Sequence, residues 1–224
     1  MSLLDYPGKV CSIVFTQGCS FRCSYCHNPD LISVKPEDQK TKIEPKAIFA
    51  HLEKHKTMIE AVCITGGEPT IQRGLREFIE HVKGMGLAVK LDTNGIHPTL
   101  VQECIDANLL DYIAMDLKNV WGRYLDVIRV GGEAIVRQCR ETFEIIQSSG
   151  VAHEFRTTIC PGVHTKKDFV EMAGYLKEGE TYFIQETRFQ KTLKEGLETE
   201  FGFLLPNLIH YLRTEYPLLI IDQR

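Results

Sequence analysis

Hydrophobic positions along the chain fall into two kinds of run that alternate. Short apolar, β-branched stretches at Val10–Thr16, Ala61–Thr65, Leu87–Asp92, Tyr112–Asp116, His153–Cys160 and Tyr182–Gln185 read as strands. Between them, apolar residues recur at helical period over Pro45–Lys56, Thr70–Lys83, Pro98–Ala107, Glu133–Ser148 and Lys166–Lys177. Pro98 suits a first helical position, where no backbone N–H is needed, and Gly150 suits the residue past a helix end. Strand, helix and strand in repetition predict an α/β fold of parallel βαβ units with right-handed crossovers. The pattern alone leaves both a doubly wound open sheet and an incomplete (β/α) barrel open. A further helix and strand are expected at Leu204–Thr214 and Leu218–Ile221, in a C-terminal extension of about residues 200–224. Val120–Gly132 and Asp30–Glu44 read as loops. With no internal repeat, low-complexity tract or long linker, residues 1–224 are expected to form one domain.

Composition narrows the class of function. At 224 residues, 43% hydrophobic and 25% charged, the chain can bury a core and is not a disordered protein. A net charge of −4 gives no basic surplus to make nucleic acid the main partner. No stretch approaches the roughly eighteen consecutive apolar residues of a membrane span. The opening Met-Ser-Leu-Leu-Asp-Tyr-Pro-Gly lacks the basic and apolar regions of a signal peptide. A soluble cytoplasmic protein is the expectation.

In that compartment the eight cysteines are not expected to be disulfides. Cys19, Cys23 and Cys26 cluster directly after the first strand, in Thr-Gln-Gly-Cys-Ser-Phe-Arg-Cys-Ser-Tyr-Cys-His-Asn-Pro. A loop that gathers three thiolates suits an iron or zinc site, and three ligands leave one coordination position open for chemistry. The alternative is a structural Cys3His zinc with His27 as fourth ligand, although adjacency to Cys26 makes that reach awkward. Cys11, Cys63, Cys104, Cys139 and Cys160 are isolated in strands or on apolar helix stripes and read as small core residues. His51, His55 and His81 read as exposed helix residues.

Further polar features follow other strands. Gly66-Gly67-Glu68-Pro69 ends the second, where a Gly-Gly turn lets backbone approach a ligand closely; alone, it is an ordinary tight turn. Asp92-Thr93-Asn94-Gly95 ends the third and Asp116-Leu117-Lys118 the fourth, while the fifth carries Arg156 and the sixth ends in Gln185. Period-two alternation puts Asp116 and Lys118 on one face, where they need a partner or a ligand; a stapling ion pair would satisfy them equally. In parallel α/β folds all these strand ends share the face on which sites are built.

Cys-x3-Cys-x-Tyr-Cys followed one strand later by Gly-Gly-Glu-Pro resembles the radical S-adenosylmethionine (radical SAM) enzymes, with Tyr25 in their aromatic position. That resemblance implies an incomplete (β/α)6 barrel. Its cluster loop, residues 17–29, would bind one 4Fe–4S cluster through Cys19, Cys23 and Cys26, with S-adenosylmethionine on the fourth iron. It further implies that Gly66, Gly67, Glu68 and Pro69 hold the cofactor's methionine amine and that Tyr25 faces its adenine. Asp116 and Lys118 would meet the methionine portion, with Asn94 and Arg156 beside them. Asp92, Thr93 and Asp116 can hold a monovalent cation in such enzymes. Asp5-Tyr6-Pro7-Gly8-Lys9, Phe15-Thr16-Gln17-Gly18-Cys19 and Cys26-His27-Asn28-Pro29 narrow the likeness to glycyl-radical-enzyme activases. The nearest resemblance is to the activase of anaerobic ribonucleoside-triphosphate reductase, and pyruvate formate-lyase activase shares much of it. The implied partners are the large reductase subunit, whose glycine Cα gives up hydrogen to a 5′-deoxyadenosyl radical, and a small electron donor such as flavodoxin or ferredoxin. A radical enzyme acting on a small molecule of deazapurine type, or a zinc-stabilised binding module without catalysis, remain the competing readings.

Overall fold

The computed structural model describes residues 1–33, 42–160, 162–187, 192–193 and 204–223. The elements run β1 (Cys11–Thr16), α1 (Pro45–His55), β2 (Ala61–Gly66), α2 (Leu75–Gly84), β3 (Ala88–Thr93), α3 (Pro98–Asp106) and β4 (Tyr112–Asp116). Then come α4 (Tyr124–Ile128), α5 (Glu133–Ser148), β5 (Ala152–Thr158), α6 (Lys166–Ala173), β6 (Thr181–Gln185), α7 (Leu205–Glu215) and β7 (Ile220–Gln223). All seven strands are parallel and stand in chain order, β1 through β7. A doubly wound sheet would reverse that order halfway, so the sequential order excludes it. Right-handed crossovers that always step the same way put every helix on one face, and the sheet curls away from them. Among the described residues β7 has no ladder with β1, so the barrel stays open. The expected six-stranded barrel thus gains a seventh strand from the C-terminal extension.

Side-chain alternation separates the two faces. Val62, Ile64, Val89, Leu91, Ile113, Met115, Phe155, Tyr182 and Ile184 are buried against the helices in the main core. Cys11, Ala61 and Cys63 belong to a second, small cluster on the concave face. Its lower end is plugged by Tyr6, whose ring lies 5.8 Å from that of Tyr112. An antiparallel bridge from Ser2 to Cys11 holds the plug in place.

Three expectations need correction. Thr70–Lys83 is not one helix: a single 3₁₀ turn covers Pro69–Ile71, and α2 begins only after Gly74, whose φ of +79° breaks the run. Val120–Gly132 is not all loop, because Trp121–Arg123 and α4 are helical and bury Tyr124, Val127 and Ile128. Helix α6 stops at Ala173, four residues before Lys177. Of the predicted Asp30–Glu44 loop, residues 34–41 lie outside the described residues. No described helix is long and apolar enough to cross a membrane.

Candidate active site

From Thr16 the chain turns through Gly18 (φ +102°) into the cysteine loop. Backbone bonds from Gly18 N–H to Leu31 O (2.6 Å) and from Arg22 N–H to Ile128 O (2.9 Å) fix that loop at both sides. The Arg22 guanidinium also donates to the carbonyls of Cys19 (2.7 Å) and Phe21 (2.8 Å). The second strand's Gly-Gly turn lies directly against it. Gly67 N–H donates to Thr16 O at 2.9 Å and Glu68 N–H to Gly18 O at 2.8 Å. Gly66 has φ +119°, which disfavours any side chain, and a Cβ on Gly67 would stand 2.1 Å from Gly18 O. The glycines therefore serve first to seat the cysteine loop on the end of β2.

Glu68 is 1% exposed, and its carboxylate accepts four hydrogen bonds. They come from Thr70 N–H (3.1 Å), Thr70 Oγ1 (2.6 Å), Thr93 Oγ1 (2.7 Å) and Asn94 N–H (2.7 Å). The side chain thus ties the end of β2 to the end of β3. Burial pushes the Glu68 carboxyl upward against these donors.

Cys19, Cys23 and Cys26 line one cavity with Tyr25, Gly66, Gly67, Glu68, Asp92, Thr93, Asn94, Asp116, Lys118, Arg156 and Gln185. Every sequence-predicted site residue except Pro69 is therefore brought together; Pro69 is buried and starts the 3₁₀ turn behind the site. His27, weighed from sequence as a fourth zinc ligand, lines the same cavity, as do Phe21, Asn28, Thr65 and Thr158, to which the sequence assigned no role. Thr65 was legible in principle, since it ends a predicted strand; Thr158 lies within the predicted His153–Cys160 run and ends the observed β5.

The charges on the concave face form one chain. Arg156 donates to Asp92 Oδ2 and Asp116 Oδ1, each at 3.0 Å. Lys118 donates to Asp116 Oδ2 at 2.9 Å, and Lys90, 1% exposed, pairs with Asp92 Oδ1. Buried Glu154 lies 4.0 Å from Arg156 and accepts from Tyr112 Oη at 2.9 Å. Burial alone would raise the Asp116 carboxyl, but Lys118 and Arg156 outweigh it and hold it at about 2. Asp92 is lowered by Arg156 and Lys90 against burial in the same way. The positive charge between Asp92 and Asp116 is Arg156's own, so no separate monovalent cation enters the function proposed below.

Behind Lys118 sits His164, which the sequence gave no reason to notice. Cys160 N–H donates to its Nδ1 at 2.8 Å, so Nε2 carries the proton and donates to Lys118 O, also at 2.8 Å. Burial holds this imidazole down at about 4, hence neutral. Its two bonds tie the end of β4 to the loop after β5.

An open parallel barrel with three clustered cysteines at its carboxyl end is the architecture of one enzyme class. Residues 13–176 match the sequence model of the radical SAM superfamily, and the chain belongs to that family. A Methanocaldococcus jannaschii protein named for glycyl-radical enzyme activation is 32% identical over 189 residues, covering 83% of this chain and 76% of its own. The pyruvate formate-lyase-activating enzyme of Clostridium pasteurianum is 27% identical over 183 residues, covering 79% and 73%. Among solved structures, Streptococcus suis SuiB bound to S-adenosylmethionine superposes with a TM-score of 0.72. At 11% identity that likeness shows the fold alone; it covers 96% of this chain and half of SuiB.

The family's cofactors are a 4Fe–4S cluster and S-adenosylmethionine, and the residues present fit them. All eight cysteines are free thiols. Phe21 N–H already points at Cys19 Sγ (3.4 Å), and Asn94 Nδ2 lies 3.9 Å from the same sulfur. The Tyr25 hydroxyl is buried and unpartnered, an orphan polar group on the wall of the cavity. Among the described residues no three His, Cys, Asp or Glu side chains are gathered tightly enough to share one ion. Burial raises the Cys19 thiol and pushes Cys23 up to about 12, so loading a cluster must release protons.

Proposed function

We propose that this enzyme activates a glycyl-radical enzyme, taking hydrogen from the Cα of one glycine in its partner, which we assign as the large subunit of anaerobic ribonucleoside-triphosphate reductase. The observation that carries the reading is the meeting of Cys19, Cys23 and Cys26 with Gly66–Glu68 and Asp116–Lys118 on one cavity, inside a barrel left open along one side. When bound, the cluster and S-adenosylmethionine supply a one-electron cleavage that yields a radical strong enough to take that hydrogen.

The side chains bind, orient and exclude. One of the three Lys118 donors is used by Asp116, leaving others for a ligand carboxylate. Asp116 stays ionised at any working pH, so Lys118 is held in place as well as charged. The carbonyls of the Gly66–Gly67 turn suit an ammonium group, and the Tyr25 hydroxyl is available to a polar ligand edge. Lys118 also stands 5.9 Å over the Tyr25 ring, which links the two halves of the pocket. No acid or base need act on the substrate. A glycine suits the approach because it has no side chain to keep its Cα at a distance. The electron is assigned to a small cytoplasmic donor of flavodoxin or ferredoxin type.

The relatives named for pyruvate formate-lyase favour that enzyme as the alternative partner. Anaerobic reconstitution with dithionite and each partner in turn tests the assignment. A glycyl-radical EPR doublet with the reductase subunit, together with 5′-deoxyadenosine, is the expected result. A doublet with pyruvate formate-lyase alone would move the assignment to the alternative. Formation of 5′-deoxyadenosine with neither partner giving a doublet would return the enzyme to the small-molecule class.

A further inference from the structure

The turn that ends β3 is pinned by its own polar groups, and one of them is aimed at a cysteine sulfur. Glu68 accepts from Thr93 Oγ1 and from Asn94 N–H, each at 2.7 Å, which fixes the turn from the end of β2. Thr93 Oγ1 accepts in its turn from Gly95 N–H at 3.0 Å, and Thr142 on α5 donates to Gly95 O at 2.6 Å. Asn94 Oδ1 accepts from Ile96 N–H at 3.1 Å, an Asx turn closed two residues on. Only an oxygen can accept there, so chemistry settles which end of the amide is which, and the amino end faces the other way. That end, Nδ2, stands 3.9 Å from Cys19 Sγ. Asn94 is buried, so the amide has little water to turn to instead.

Phe21 N–H approaches the same sulfur at 3.4 Å, so donors from two separate segments converge on Cys19. The Asx turn itself asks only for a side-chain oxygen, which aspartate or serine would also supply. The amino group is what asparagine adds, and here it is directed at the sulfur. A thiolate bound to iron becomes more negative when its cluster gains an electron. A donor at that sulfur therefore favours the reduced form, and hydrogen bonds to sulfur are among the levers that set the potential of such clusters. We propose that Asn94 raises the reduction potential of the cluster by donating to Cys19 Sγ, and so makes the cluster easier for its electron donor to reduce. Asn94 acts through Cys19 and is a positioning residue rather than a catalytic one. The inference rests on the cluster alone and holds whichever protein carries the target glycine.

The test is an anaerobic redox titration of the reconstituted enzyme without any partner protein, the reduced cluster being counted by EPR. Asn94→Ala removes both the donor and the acceptor of the turn, whereas Asn94→Ser removes the amide but keeps an oxygen for Ile96 N–H. Both should lower the ratio of reduced to oxidised cluster about tenfold at a fixed applied potential, a shift of about 59 mV to more negative values. Asn94→Asp keeps the acceptor but sets a carboxylate against the sulfur, and should shift the potential further in the same direction. The melting temperature should fall more in Asn94→Ala than in Asn94→Ser, because only the alanine opens the turn. An unchanged potential in Asn94→Ser, or a shift confined to Asn94→Ala, would leave Asn94 to the turn alone and overturn the proposal. A second measurement needs no change at Asn94. With asparagine labelled by 15N in its side chain, and with Asn28 on the cavity wall replaced by aspartate, the pulsed-EPR spectrum of the reduced cluster should carry a nitrogen coupling. A spectrum without that coupling would overturn the proposal as well.

Discussion

Replacing Gly67 with alanine asks whether the Gly-Gly turn seats the cysteine loop. The new Cβ would stand 2.1 Å from Gly18 O, 2.7 Å from Gly18 C and 3.0 Å from Leu31 O. All three are backbone atoms, so no side chain can swing aside. Merely reaching the 3.0 Å below which real Cβ contacts essentially do not occur requires a retreat of 0.9 Å, the difference between 3.0 and 2.1. That retreat strains the bonds from Gly67 N–H to Thr16 O and from Glu68 N–H to Gly18 O. Two backbone bonds at about 1 kcal/mol each, with about 1–3 kcal/mol for overpacking, give a loss of about 3–5 kcal/mol. For a chain of this size that lowers the Tm by roughly 6–20 °C. Gly18 precedes Cys19, so the shift reaches the first thiol directly. Displacement of reacting groups by about 1 Å costs about a hundredfold in rate. Differential scanning fluorimetry under argon and 5′-deoxyadenosine yield measure the two effects. Gly84→Ala, where a Cβ meets nothing within 4 Å, is the neutral control. A Gly67→Ala enzyme that melts with the parent and cleaves S-adenosylmethionine at the parent rate would show that the close approach is not needed.

Other perturbations follow the same logic. Glu68→Ala leaves the amides of Thr70 and Asn94 and two hydroxyls without their acceptor, so urea unfolding should show a loss of about 3–5 kcal/mol; a loss below about 1 kcal/mol would mean water replaces the carboxylate. His164 has its folded value at about 4 against an ordinary 6.5, so the unfolded chain takes up the proton first. Its contribution is therefore complete above pH 6.5 and is lost as pH falls from 6.5 toward 4, by about 3 kcal/mol, and His164→Asn should flatten that limb of the stability profile. His153, raised against burial by its bond to Glu180, works in the opposite direction: its contribution is complete below pH 6.5 and is lost as pH rises above it, so His153→Gln should remove that decline above pH 6.5 and leave the acid limb unchanged. Asp116→Asn strips Lys118 and Arg156 of a shared carboxylate and should lower affinity for S-adenosylmethionine at least about tenfold in equilibrium dialysis, whereas unchanged binding would relegate Asp116 to a structural role.

Much of this was written in local pattern. Period-two runs located β2 through β6 to within a residue or two, because each is bounded by turn residues and faces a helix on one side. The strand-end motifs converged because parallel topology leaves them nowhere else to go. What local pattern could not carry was tertiary. That Glu68 would spend its carboxylate on Thr70, Thr93 and Asn94 depends on how β2 and β3 abut, and Arg156 reaches Asp92 across β4. Lys90 was half legible: it alternates with Asp92 on one strand face, but its burial follows from Tyr112 and Cys63 on neighbouring strands. Helix α4 escaped notice because a five-residue helix is too short to display a period.

The charge chain explains how the barrel tolerates being open. With every helix on the convex side, nothing apolar packs onto the upper concave face, and a hydrophobic lining there would stand in water. Lys90, Arg156 and Lys118 are matched by Asp92, Asp116 and Glu154, so this chain of charges balances and each member has a partner. Such a surface is stable without a ligand, yet it can exchange partners with one. An amino-acid zwitterion adds no net charge: its carboxylate can share Lys118 while its ammonium is met by carbonyls and carboxylates already in place. Openness and charge balance are in this way two consequences of one topological fact, the unbroken order of seven parallel strands.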